Sequence, residues 1–281
     1  MLASINTRPA TCVFLNPRYN ACIQEGLGLP CLILVLERSV TQFRFTPARI
    51  DEHIVSVGVD VRPVIDVRAE RQKLADFGRW LTDEWPSLYE NVVQGPNAFF
   101  VTKKFVFPGK GEADLQTLVL TNRGPVFLFP YKVGILAGED IELPERQDVV
   151  MKALEQLKQK WPQCKQVRLG VVRDFCYDCS PESPIDIVRG RFTRLNAAFS
   201  TLTLGFNLPS DDFNRTVRVQ TGQMPVLGES EARPVIGVQV DFNNSQMDAD
   251  LTKETKLRIL HDADEFCEKD LISFLNGEGI K

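Results

Sequence analysis

Over residues 54–85 the hydrophobic period changes once, and that change narrows the fold class. Ile54, Val55, Val57, Val59 and Val61 alternate with polar or small residues, the period-two pattern of a half-buried strand. Leu74, Phe77, Leu81 and Trp85 then recur at spacings of three and four, which lines one apolar stripe along a helix, and Pro86 stops it. Hairpin signals follow: residues 98–107, 117–121 and 126–131 read as strands. They are separated by Pro108-Gly109-Lys110-Gly111 and Asn122-Arg123-Gly124-Pro125, both rich in turn residues. A second helix is predicted over 145–161, with Val149, Val150, Ala153, Leu154, Leu157 and Trp161 inward and Pro162 as its stop. Residues 167–175 read as a strand.

The order strand, helix, two or three antiparallel strands, helix, strand is the split βαβ arrangement of the ferredoxin-like class. The rest reads differently. Residues 192–208, 216–221 and 234–242 are predicted strands, and 252–275 one long helix offering Leu257, Leu260, Cys267, Leu271 and Phe274 to a sheet. The expected fold class is therefore α+β, with antiparallel sheets covered by helices on one face. We expect an irregular segment over 1–50, a ferredoxin-like lobe over 51–180, and a smaller α+β lobe over 185–281, parted by the 180–184 loop.

Composition limits the function classes. With 281 residues, 43% hydrophobic and 25% charged, the chain is of ordinary globular make-up, which excludes collagen-like and disordered classes. A core of that size needs no disulfide or metal staple. The longest apolar run, 29–36, closes on Glu37 and Arg38, far short of the ~18 residues that span a bilayer. No charged segment followed by an apolar one opens the chain, so a cytoplasmic location without membrane contact is expected.

Seven cysteines (Cys12, Cys22, Cys31, Cys164, Cys176, Cys179 and Cys267) read as reduced and mostly buried. Cys176 and Cys179 form the one CxxC, and with Cys164 they are the metal candidates. A structural zinc site wants four ligands, and the histidines number two, His53 and His261. The loop-like Ser180-Pro181-Glu182-Ser183-Pro184 after the pair speaks against a thioredoxin-like site. His261 sits three residues from Asp264 and four from Glu265, within helical reach of both. Too few histidines accompany it for a metal hydrolase, and His53 is expected in a loop. No nucleophile elbow or phosphate loop is present. Gly26-Leu27-Gly28-Leu29-Pro30 puts proline where a dinucleotide site needs a helix. No cofactor is called for.

The formal charge is −4, and residues 221–281 hold six basic against twelve acidic side chains. No block has the basic surplus that phosphate neutralisation needs. Arg189, Arg191 and Arg194, with Arg215 and Arg218, read as the solvated side of two neighbouring strands. Lys103-Lys104-Phe105-Val106-Phe107 is similar to the aromatic strand of an RNA-recognition motif, with Lys103, Lys104, Phe105 and Phe107 as contacts. The glycine that belongs after the first basic residue is missing, so the rings are expected in the core, with Lys104 and Val106 outward.

Three stretches carry a family likeness: Ala75-Asp76-Phe77-Gly78-Arg79-Trp80-Leu81 leading to Glu84-Trp85-Pro86; Val167-Arg168-Leu169-Gly170-Val171-Val172; and Val238 to Phe242 with Leu260-His261-Asp262-Ala263 through Phe274-Leu275. Over residues 55–277 the chain resembles a sporadically distributed family of uncharacterised bacterial proteins of about this length. It departs from that family at Arg173-Asp174-Phe175-Cys176, where a tyrosine–asparagine pair is usual. The resemblance implies two α+β lobes, a bacterial source, neighbourhoods of mobile or defence genes, and no catalytic residue.

The function expected from the sequence is non-enzymatic: an adaptor or regulator that holds a protein partner encoded nearby. It would use sheet edges, exposed aromatic rings and the acidic helix, with Asp262, Glu265 and Glu268 facing a basic patch. Single-stranded nucleic-acid binding through 103–107 is the lesser reading. An enzyme or metal protein built on His261 or Cys176/Cys179 comes third.

Overall fold

The computed structural model describes residues 43–47, 50–95, 97–107, 111–130, 145–193, 200–208, 212–225, 232–245 and 248–278. The expectations for the first forty-two residues, with Cys12, Cys22, Cys31 and the Gly26–Pro30 turn, lie outside these, as does Arg194. The alternating valines build β1 (Ile50–Arg62), and the three-and-four stripe builds α1 (Arg71–Glu84). His53 lies within β1 rather than in a loop before it, because that strand starts earlier than its clean alternation.

After α1 come β2 (Asn91–Gln94), β3 (Phe99–Phe107), β4 (Gly111–Thr121) and β5 (Gly124–Phe129). That makes four described strands between the first two described helices, where two or three are expected. The extra one is the four-residue edge strand β2, too short to show a period. Next are α2 (Arg146–Lys160) and β6 (Lys165–Asp178), then α3 (Pro184–Phe192), β7 (Thr203–Asn207), β8 (Phe213–Pro225) and β9 (Ala232–Asn244). The chain closes on α4 (Lys253–Glu265), a π-helical turn at Phe266–Asp270, and α5 (Leu271–Leu275). Backbone angles stay right-handed through both junctions, so these three run on as one long helix.

A helix boundary is corrected as well. Residue 192 ends a helix, α3, rather than starting a strand, and the strand begins only at Thr203. Ser183 caps that helix by accepting from the Asp186 amide at 3.4 Å, and Pro184 occupies its first position.

All nine described strands join one antiparallel sheet in the order β2-β3-β4-β5-β1-β6-β9-β8-β7. β1 and β6 pair along almost their whole length, from Ile50↔Tyr177 to Arg62↔Lys165. β6 in turn pairs with β9 from Gly170↔Asn243 to Asp178↔Val235, so the sheet runs unbroken past the 180–184 loop. The inward valines of β1, Leu169 and Val171 of β6, and Val238, Val240 and Phe242 of β9 share one core with residues from α1, α2, α3, α4 and α5. A single core means that the described helices all cover the same face. Its largest aromatic group joins Phe77, Trp80, Trp85, Tyr89 and Trp161, with neighbouring ring centroids 5.5 to 6.4 Å apart. That group contains all three tryptophans of the chain.

Candidate functional site

The face of the sheet turned away from the described helices, uncovered among the described residues, is the candidate surface. Burial along β6 alternates between buried and intermediate from Val167 to Asp178, which is how a strand covered on one side behaves. Register carries one row across eight strands on the uncovered side: Val93, Phe100, Val119, Val126, Gly58, Gly170, Asn243 and Asn214 are successive cross-strand partners. The β2–β5 half of the row is apolar, and Leu128 and Val172 lie beside it. Val93 is 47% exposed and Val106, further along β3, 53%. The large hydrophobic side chains that are exposed among the described residues are Val64, Val93 and Val106. The expected exposed aromatic rings are thus replaced by aliphatic ones.

At the middle of the row two glycines meet. A Cβ on Gly58 would touch only Val126 at 3.8 Å, and one on Gly170 would approach the Asn243 Cβ at 3.4 Å. Space for side chains therefore exists, and the pair leaves a shallow hollow in the face. The half beyond it is polar and internally paired. Arg218 Nη1 donates to Gln239 Oε1 at 3.0 Å, and Gln239 Nε2 donates to Asp174 Oδ1 at 2.9 Å. Arg233 pairs with Asp178 at 3.1 Å. The Ser180 backbone amide, with Arg233, holds the Asp178 carboxyl below its ordinary range against the opposing effect of its own burial.

The acidic helix presents His261, Asp262, Glu265 and Glu268 outward. His261 Nδ1 lies 3.4 Å from Asp262 Oδ1 and 4.0 Å from Glu265 Oε2. These three are the one group of potential metal ligands of that size among the described residues, their ligand atoms within 4.8 Å of one another. Lys269 already pairs with Glu265 at 2.7 Å, and its hydrogen bond keeps that carboxyl below its ordinary range. Asp264 points the other way, clamped by Arg146 at 2.7 Å and Arg173 at 3.1 Å. The π-helical turn widens the helix beside a cleft lined by Phe213, Arg215, Asp262, Glu265, Phe266 and Lys269.

The other sequence candidates are scattered. Cys176 is half-buried on the uncovered face, whereas Cys179 and Cys164 are buried in the core. Cys179 and Cys164 bond to the carbonyls of Tyr177 and Pro63 at 3.4 and 3.3 Å. Phe105 is 1% exposed, so its ring offers no stacking face to a base. Lys104 pairs with Glu112, and Lys103 lies 3.8 Å from Glu90. The side chain of Phe107 lies outside the described residues. Arg189 and Arg191 belong to α3 rather than to a strand, a consequence of the helix boundary corrected above. Arg191 donates to the carbonyls of Asn276 and Phe43, both at 2.7 Å, while Arg215 lies over the Phe266 ring at 5.3 Å. These arginines tie elements together and do not make one phosphate-binding patch.

No described helix is long and apolar enough to cross a membrane. No family model, no curated protein and no solved structure matches the chain. The sequence reading overlooked the row across the face. Its members come from eight separate strands, and only the strand order brings them into line.

Proposed function

We propose that this chain is a non-enzymatic interaction protein that holds a protein partner against the uncovered face of its sheet. One observation carries the reading: a row of cross-strand apolar residues, Val93, Phe100, Val119 and Val126, leads to the glycine hollow at Gly58 and Gly170 on the face without described helices. Apolar side chains aligned on one sheet face favour association with a complementary apolar surface. The edge strands are a poorer site, since β2 and β7 are short. Asp262, Glu265 and Glu268 lie on the long helix, on the opposite side of the sheet from this row, and take no part in this contact.

The ferredoxin-like reading belongs to the same proposal. β5 connects through α2 to β6 with β1 between them, a split βαβ pattern that four strands rather than two enlarge. The bacterial family resemblance makes the neighbouring genes, in a mobile or defence setting, the place to seek the partner. The test is co-purification from the native host, at low and high salt, of the chain and its Val119→Lys/Val126→Lys variant. The proposal expects a discrete polypeptide with the parent chain, held at high salt as well as low because the contact is apolar, and its loss from a variant whose circular dichroism is unchanged. A partner retained by the folded variant, or none recovered with the parent, overturns it.

A further inference from the structure

Away from the uncovered face, one side chain fastens the end of the long helix to the first described residues of the chain. Asn276 caps α5, and its amide answers both backbone groups of Phe45. The Phe45 N–H donates to Asn276 Oδ1 at 3.0 Å, and Asn276 Nδ2 donates to the Phe45 carbonyl at 2.9 Å. A donor and an acceptor on the same residue fix which way round the amide lies. Arg191 of α3 braces the joint by donating to the carbonyls of Asn276 and Phe43, both at 2.7 Å, and Arg44 pairs with Glu278 at 3.0 Å. These bonds hold the buried Phe45 ring edge-on to Tyr177, with centroids 4.9 Å apart.

The sequence at this joint is chemically special. Asn276 precedes Gly277, and no other asparagine of the chain precedes a glycine. Gly277 has φ +74°, the left-handed conformation that closes a helix and that glycine adopts without strain. With no side chain to shield it, the Gly277 nitrogen has a clear approach to the amide carbon of Asn276. The closed joint prevents that attack. The Gly277 N–H donates to the Phe274 carbonyl at 2.9 Å, and both polar atoms of the Asn276 amide are engaged. Gly277 and Glu278 are nonetheless exposed, and the last turn of a helix is where local opening costs least.

We propose that Asn276 is a deamidation site gated by this joint, so that a reversible opening becomes a permanent one. When the last turn opens, the Gly277 nitrogen gives up its proton and attacks Asn276 Cγ. The Cγ–Nδ2 bond breaks, and ammonia leaves with that proton. Water then opens the five-membered imide at either carbonyl, leaving aspartate or isoaspartate. Neither product remakes the joint. The donor to the Phe45 carbonyl is gone, and a carboxylate oxygen faces that carbonyl with no proton between them. The new negative charge also stands at the helix end that disfavours it, while Arg191 is committed to two backbone carbonyls. Isoaspartate further adds a backbone carbon between α5 and Gly277. Residues 43–45 are thereby released from the helix end, and the Phe45 ring leaves Tyr177.

The test is incubation of the full chain at about pH 7 and about pH 9, followed by peptide mass mapping. Conversion at Asn276 should be faster at the higher pH, because the attacking nitrogen must lose its proton. Arg191→Met removes two of the bracing bonds and should speed conversion about tenfold or more, whereas Arg79→Met on α1 should leave it unchanged. The converted parent chain, separated by its added negative charge, gives a readout that needs no variant. Its amides at Phe43 to Phe45 should exchange with deuterium about tenfold faster than before conversion. No conversion at Asn276 over several weeks in the parent and Arg191→Met chains overturns the site. Equal rates in those two chains overturn the gating, and unchanged exchange at residues 43–45 in the converted chain overturns the release.

Discussion

Asp264→Ala should be among the most damaging polar substitutions on the long helix. Arg146 Nη2 donates to both Asp264 oxygens, at 2.7 and 2.8 Å, and Arg173 Nη1 donates to Oδ1 at 3.1 Å. The side chains are 15%, 20% and 9% exposed for Arg146, Asp264 and Arg173. Alanine would leave two poorly hydrated guanidinium groups facing each other without their shared carboxylate. Breaking a fully buried pair costs ~3–5 kcal/mol, and the partial exposure here lowers the expectation to ~2–4 kcal/mol. For a chain of this size that corresponds to a fall in Tm of about 3–7 °C. Urea unfolding followed by tryptophan emission suits the measurement, since all three tryptophans lie in the α1–α2 aromatic group and not beside Asp264. Replacing Arg146 as well, in Asp264→Ala/Arg146→Met, should recover ~1–2 kcal/mol because one of the facing charges is gone. A loss below ~0.5 kcal/mol in the single variant would show the cluster to be effectively solvated and refute the reasoning.

Three further outcomes follow from other parts of the fold. Gly124 has φ +138°, and a Cβ there would lie 2.1 Å from the Val59 carbonyl oxygen, so Gly124→Ala should destabilise by ~2–4 kcal/mol in the same urea assay. The Tyr177 hydroxyl is buried without a partner among the described residues, so Tyr177→Phe should be neutral or stabilising by up to ~1 kcal/mol; a clear loss of Tm would reveal a missed hydrogen bond. Asp178 and Asp250 are held below the ordinary carboxyl range in the fold, Asp250 by bonds from Lys158 and the Gln166 amide that outweigh its burial. Their contribution is therefore whole above about pH 4 and drains away as the pH falls through the folded values. A urea midpoint that drops from pH 4 to pH 2.5, and drops less in Asp250→Asn, checks the sign.

Much of the fold is readable before any coordinates, for reasons specific to each element. β1, α1 and α2 carry clean periods and proline stops, and the long C-terminal helix keeps its stripe through Leu260, Cys267 and Leu271. β4 is longer than its apolar end suggests, because Glu112, Asp114 and Gln116 alternate outward and mask the strand. α3 is missed although Ser183, Pro184 and Asp186 announce a helix start, since the β-rich stretch after it draws the boundary too early. The strand order is the part that local pattern does not encode. Long-range pairing places β1 between β5 and β6, and only then do Phe100, Val119 and Val126 share a row with Gly58.

Photo-crosslinking in the native host bears most directly on the proposed role. A photoreactive residue placed at Val119 or Val126 should join the chain to one discrete polypeptide on illumination. The same residue at Thr82, on the solvent side of α1, should not. Capture of that polypeptide from Thr82 as readily as from Val119, or no product from the sheet positions, would contradict docking on the uncovered face.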